Sequence, residues 1–313
     1  MKCTFLYPDS PKSPHYVHKS WAESVSKKYI KTPLGFGFFN TNIIPESDVL
    51  ILESLYCLPF ARKYKKNNPN CKIIVIIADT SFWNKKLSIS RKIFYKIYLK
   101  HVDGFITVSN RIKKDVENYT KKPVIVVRPF IVNKYSLDRK CFNKNIVFIG
   151  NDSKEKGFLY AVNAMKYLED FDLYLVGSCC KKVDNSLVSN NIHKEGSVKS
   201  IKKYFQLNTY YIHPADFDPS PVVVWEAMHA GLIPIISKDV GQSEVLNGTL
   251  KSLVLTDVNP ETIAKRVKDI DKLSEKEKKN IINKCKEIAS NYTKEKSIYE
   301  FKVKFKELLN LIN

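Results

Sequence analysis

Arginine is scarce in a strongly basic chain. Of 52 basic residues only six are arginine (62, 91, 111, 128, 139 and 266), so 46 are lysine. With 32 acidic residues this leaves a net charge of +20, which points to a polyanionic partner, either nucleic acid or an anionic membrane surface. Base reading and bidentate phosphate clamping rely on guanidinium groups, so the shortage argues against the first, and no nucleic-acid partner is expected.

Long apolar runs are missing as well. No stretch approaches the ~18 to 20 consecutive apolar residues of a membrane span. The first residues, Met1 to Tyr7, run into Pro8 and Asp9 with no apolar leader or cleavage site. The expected location is therefore the cytoplasm, with a peripheral seat on the inner face of the membrane left open. The seven cysteines (3, 57, 71, 141, 179, 180 and 285) are odd in number and scattered, with no C-x-x-C pair. They read as reduced thiols rather than a disulfide framework, and no metal site is expected. Gly35-Phe-Gly37 lacks the third glycine of a dinucleotide fingerprint.

What is present is alternation. The 313 residues, 44% hydrophobic, suffice for two domains with a core each. Short β-branched and aromatic runs alternate with helical patterns throughout, the signature of βαβ units and parallel sheets. Strands are expected at 3–7, 35–39, 49–52, 72–77, 104–108 and 123–127, with helices at 17–29, 87–100 and 111–119. The weakly periodic stretch 128–145 precedes a second set: strand 146–149, helix 156–168, strand 172–176, helix 199–206, strand 209–213, helix 221–230 and strand 232–237. An N-terminal Rossmann-like domain over 1–135 and a C-terminal one over 146–295 follow. The tail is helical, with Phe301, Phe305, Leu308, Leu309 and Ile312 in one stripe. The expectation is that helix 296–313 packs back on the first domain.

The most informative stretch runs from His213 through Asp218-Pro-Ser-Pro-Val-Val-Val-Trp-Glu226-Ala-Met-His-Ala-Gly231 to Ser237. Ser220 suits an N-cap, Pro221 the first helical position, and Gly231 the left-handed end. A helix start after a strand offers the amides of Val222 and Val223, and a positive dipole end, to an anion. Asp218 in the loop and Glu226 in the second turn then lie at the carboxyl edge of the sheet, where carboxylates bind sugar hydroxyls.

This segment resembles the E-x7-E signature and the following E-A-M-A-x-G-x-P-V-I of family 4 (group 1) glycosyltransferases, with Asp218 at the first Glu position and Glu226 at the second. Two further runs are similar to the same family. Gly150-Asn-Asp-Ser-Lys-Glu-Lys156-Gly157 stands where the family has G-R-L-x-x-x-K-G, so its phosphate-binding Arg falls on Asn151, with Lys154 a candidate to compensate. Gly196-Ser-Val198 resembles the strand end near the nucleobase, and Gly241-Gln-Ser-Glu244-Val-Leu the family's G-x-x-E run. The likeness covers the second half and reaches back to Val108-Ser109, while the first hundred residues match poorly.

The resemblance implies an α/β GT-B fold, two Rossmann-like domains facing a central cleft, and retaining transfer of a sugar from a nucleoside diphosphate sugar to a glycan or lipid-linked acceptor. It implies no metal and no cofactor beyond the donor itself. Lys156 and Asp218 would be catalytic. Gly150, Asn151, Lys156, Val198, Asp218, Val222, Val223 and Glu226 would bind the donor. A non-catalytic nucleotide-sugar or polyanion-binding protein of the same fold is the alternative, because Asn151 and Asp218 depart from the pattern.

On the acceptor side His15, His18 and Asp79 are candidates to line the site. Lys85 to Lys100 mixes apolar and basic residues at helical spacing. It reads either as a helix resting on an anionic membrane or as a core-packing helix with a lysine-rich solvated face.

Overall fold

The computed structural model describes every residue except 12, 34–39, 84–86, 136, 138–140 and 313. The strand expected at 35–39 therefore lies outside the described residues, as do Lys85 and Lys86. The chain divides into two compact units, Met1–Pro129 with Lys294–Asn313, and Phe130–Thr293.

In the first unit β1 (Cys3–Pro8), α1 (Tyr16–Glu23), β2 (Lys28–Thr32), β3 (Val49–Leu52), α2 (Leu58–Asn67), β4 (Lys72–Ile77), α3 (Ile89–Tyr98), β5 (Gly104–Thr107), α4 (Asn110–Glu117) and β6 (Val124–Val126) follow in turn. The sheet order is β2-β1-β3-β4-β5-β6, parallel throughout. Strands β3 and β4 are apolar along their length because helices cover both faces, and Val49–Leu52 is buried at every position. The helix expected over 17–29 is shorter. It ends at Glu23, and the chain returns as β2 with Thr4 opposite Lys28. The Ser26 hydroxyl donates to the carbonyls of Cys3 (2.7 Å) and Lys28 (2.9 Å), the kind of local bond that competes with helix continuation.

The terminal helix Lys294–Ile312 belongs to this unit. Phe301 stacks on Trp21 with centroids 5.7 Å apart, and the Trp21 indole donates to Ser297 Oγ at 2.9 Å. Gly104 in β5 leaves room for Leu308, whose Cδ1 lies 2.9 Å from where a Cβ would stand.

The second unit contains β7 (Asn145–Ile149), α5 (Phe158–Ala164), β8 (Asp172–Val176), β9 (Ile192–Gly196), α6 (Lys202–Leu207), β10 (Tyr210–His213), α7 (Val222–Ala230), β11 (Ile233–Ser237), β12 (Val254–Leu255), α8 (Pro260–Asp271) and α9 (Glu275–Ser290). Its order, β12-β11-β10-β7-β8-β9, is again parallel. Counting within the unit this is the doubly wound arrangement, whose strand order reverses between β7 and β10. The same reversal falls between β1 and β3 in the first unit. Connections leave a switch point toward opposite faces, so a crevice opens at the carboxyl ends of those strands.

All seven cysteines are free thiols, six of them buried. Among the described residues no helix is long and apolar enough to cross a membrane.

Candidate active site

The two loops that leave the switch point of the second unit carry the residues singled out by sequence. After β7, Asn151 Oδ1 accepts from the Ser153 amide at 3.1 Å, and a tight turn over Lys154–Lys156 follows. Gly157 follows at φ 80°, where a Cβ would sit 1.9 Å from the Pro214 carbonyl oxygen. Only glycine allows the turn to pass this close to the loop after β10. Lys154 is exposed, and the Lys156 stem runs past Gly150, whose own Cβ would stand 3.8 Å from Lys156 Cδ.

Lys156 ends on Asp218, with Nζ 2.5 Å from Oδ2. The same oxygen lies 3.0 Å from His213 Nε2, and His213 Nδ1 is 3.1 Å from the Tyr211 hydroxyl. The His213 ring stacks on Phe148 with centroids 5.9 Å apart. Asp218 is 5% exposed, whereas the Lys156 side chain keeps 24% of its surface in solvent. Burial alone would raise the Asp218 carboxyl. The Lys156 ammonium and His213 more than offset this and hold it below its usual range. Burial lowers His213 against the opposing pull of Asp218, so the imidazole is neutral at pH 7.

The loop is clamped from the other side by the segment after β11. The Asp218 amide donates to the Asp239 carbonyl (3.1 Å), and the Gly241 amide to that of Asp218 (3.0 Å). The Gln242 side-chain amide donates to Ser220 Oγ (3.1 Å) and the Pro221 carbonyl (2.9 Å). With its hydroxyl so engaged, Ser220 does not cap the helix. Pro221 is the N-cap, and α7 begins at Val222, one residue later than expected. Val222 and Val223, both half-buried, occupy the first turn, whose amides have no partner within the helix. Gly231 ends α7 at φ 84°.

Glu226 is 5% exposed, and its Oε1 accepts from both the backbone and the side-chain amide of Asn133, each at 2.9 Å. Burial raises its carboxyl, and the two Asn133 bonds work against the rise. Val198 lies two residues beyond β9 and packs half-buried against the core of the unit. The structure thus brings Gly150, Lys156 and Asp218 together directly, puts Val222 and Val223 at the end of the Asp218 loop, and gives Asn151 a turn-building role. Sequence reasoning missed His213 and Asn133. The first had a signal: a polar residue at the carboxyl end of an apolar strand, five positions before Asp218.

Residues 137–288 match the family model described as Glycosyl transferases group 1. The match spans most of the second unit. An uncharacterized glycosyltransferase of Methanocaldococcus jannaschii is 22% identical over 276 residues, 85% of this chain and 78% of the relative. An uncharacterized 41.2 kDa protein in the cps region of Klebsiella pneumoniae is 27% identical over 268 residues, 77% and 71% of the two chains. Among solved structures, Anabaena HepE in complex with UDP and glucose superposes with a TM-score of 0.79 at 13% identity, covering 98% of this chain and 99% of its own. The chain has the GT-B fold.

Outside the matched stretch, the switch point of the first unit opens on a cavity of about 770 Å³. Asp79 lines it, and Asp79 Oδ1 accepts from the Ser81 amide at 2.8 Å. His15 and His18 are instead gathered on the buried Glu53: the His15 amide donates to Glu53 Oε1, and His18 Nδ1 lies 3.5 Å from the same oxygen.

Proposed function

We propose that the protein is a retaining glycosyltransferase of the family 4 type, working in the cytoplasm. It moves a sugar from a nucleoside diphosphate sugar to a glycan or lipid-linked acceptor without a metal ion. The observation that carries this reading is the Lys156–Asp218 contact at the switch point of the second unit, within the stretch that matches the group 1 family model and on the loop that leads into α7.

An ammonium has three N–H donors, so Lys156 can keep Asp218 and still reach a phosphate oxygen. As the bond from the anomeric carbon to the diphosphate breaks, negative charge grows on the leaving group. Lys156 and the first-turn amides of α7 stabilise that charge more in the transition state than in the ground state. They take the place a divalent cation holds in other phosphate-leaving reactions. Glu226, held by Asn133, is the carboxylate available for donor hydroxyls.

The test is a panel of nucleoside diphosphate sugars in a thermal-shift assay, followed by donor hydrolysis and transfer. HepE was solved with UDP-glucose, which makes a uridine nucleotide the first probe. At 100-fold excess over Kd, a donor bound only by the folded chain adds about 2.7 kcal/mol of stability. A panel without any shift or turnover would sink the proposal, and a shift without turnover would favour the non-catalytic binder.

A further inference from the structure

Two buried polar side chains of β10 stand behind the contact between Lys156 and Asp218. Tyr211 and His213 are both closed off from solvent, so neither can touch a substrate. Burying polar groups costs free energy unless their bonds are made, and an apolar pair would fill the same space without that cost. The bonds are made here, and they run in series: the Tyr211 hydroxyl to His213 Nδ1 (3.1 Å), then His213 Nε2 to Asp218 Oδ2 (3.0 Å).

The series has one direction. Asp218 is ionised, and a carboxylate only accepts, so Nε2 carries the proton. Burial keeps the ring neutral. A neutral imidazole protonated on Nε2 offers Nδ1 as an acceptor alone, and the Tyr211 hydroxyl therefore donates to it. At the far end Lys156, whose side chain keeps some of its surface in solvent, donates to the same Oδ2.

Packing fixes the plane of the ring as well. His213 lies nearly parallel to Phe148 (6° between planes) on the neighbouring strand β7 and to Tyr211 (11°) on its own. Gly150 makes room for this arrangement, because a Cβ there would stand 2.8 Å from Phe148 Cε1. The glycine at the end of β7 is thus called for by the ring stack, and not only by a ligand that approaches the backbone.

Lysine ends in a point charge on a flexible four-carbon stem, so Lys156 takes its place from Oδ2. Asp218 held by Lys156 alone could turn with it. Held also by His213, it is tied to a central strand at the switch point. We infer that His213, its tautomer set by Tyr211, is a positioning residue: it anchors Asp218 to β10 and, through Asp218, holds the Lys156 ammonium where the leaving diphosphate gathers charge. The role rests on the glycosyl-transfer reading.

Two substitutions of similar polarity separate positioning from packing. Glutamine carries its amide N–H to where Nε2 stands and reaches Asp218, whereas asparagine ends near Nδ1 and reaches only Tyr211. The substrate is the sugar turned over fastest in the nucleoside diphosphate panel. His213→Asn is expected to lower kcat about tenfold and to change the donor KM by less than about twofold, since the lost interaction matters most in the transition state. His213→Gln should stay within about threefold of wild type. In a Lys156→Ala background His213→Asn should cost less than about twofold more, because the two act through one contact. Nitrogen NMR of the histidine-labelled chain, with the His213 signal assigned by its loss in His213→Gln, should show the Nε2–H tautomer. Equal losses for Gln and Asn, full additivity with Lys156→Ala, or a proton on Nδ1 would each overturn the inference. A wild-type chain without turnover sinks the glycosyl-transfer reading and the positioning role with it. An active wild type with His213→Asn unaffected sinks the positioning role alone.

Discussion

At the scale of single residues, the site rests on how Lys156 and Asp218 share one contact. Asp218 is buried and ionised, with Oδ2 held by Lys156 and His213. Its first effect is to fix the ammonium in place. Removing the cation should therefore cost more than removing its partner. Lys156→Ala is expected to lower turnover at saturating donor about a hundredfold, roughly 3 kcal/mol of lost transition-state stabilisation. Asp218→Asn keeps the shape and a hydrogen-bonding oxygen, so it should cost only about tenfold, or ~1.4 kcal/mol. Initial rates for both variants, with circular dichroism to confirm folding, check the order. If Asp218→Asn is the more damaging change, Asp218 acts on the donor directly and not through Lys156.

At the scale of elements, the critical piece is the turn between β7 and α5. Gly157 sits in the left-handed region against the Pro214 carbonyl, so an added methyl meets rigid backbone that cannot step aside. Gly157→Ala is expected to cost 2 kcal/mol or more, in the range of other strained-backbone and clash effects. At about 2–4 °C per kcal/mol for a unit of this size, the melting temperature should drop by roughly 4 °C or more. Because Lys156 precedes the glycine, nucleotide-sugar binding should fall with it; unchanged stability would show that the turn relaxes without strain. This lysine and glycine were legible through the run after an apolar strand that resembles the family's G-R-L-x-x-x-K-G, and Asp218 and Glu226 through their places around a helix with Pro at its start and Gly at its end. Central strands were equally readable: Val49–Leu52 and Lys72–Ile77 lie where the apolar runs placed them. Edges were not. Strands β2, β9 and β12 each stand at the rim of a sheet, and the partly exposed Lys28–Thr32 and Ile192–Gly196 show no apolar alternation strong enough to read. Asn133 escaped for another reason. It lies in the weakly periodic stretch before β7, and only tertiary folding brings it to Glu226.

At the scale of the whole molecule, charge and the buried site act together on acid stability. The chain carries +20 with its histidines neutral, and its six histidines would bring this to +26 on protonation. Self-repulsion then opposes the compact state, and salt screens it. A second contribution is insensitive to salt. Burial holds the folded-state pKa of His213 below its unfolded value, so its stabilising contribution is fully present above about pH 6.5. As pH falls from there, the unfolded chain takes up a proton that the folded chain refuses, and stability is lost until the lowered folded-state pKa is passed. Asp218, also lowered, adds a loss of the same sign below about pH 4. Denaturant melts between pH 7 and 4.5, at about 0.05 and 0.5 M salt, resolve the two contributions, since the screening length shortens severalfold between those strengths. High salt should recover part of the acid loss in the wild-type chain. His213→Gln should reduce the remaining slope just below pH 6.5, because glutamine can still donate to Asp218 but has no proton to gain, while His15, lowered by burial to about 4, and His101, also lowered by burial, supply the rest. If the slope at high salt persists unchanged in this variant, the buried imidazole is not what ties the fold of this unit to pH.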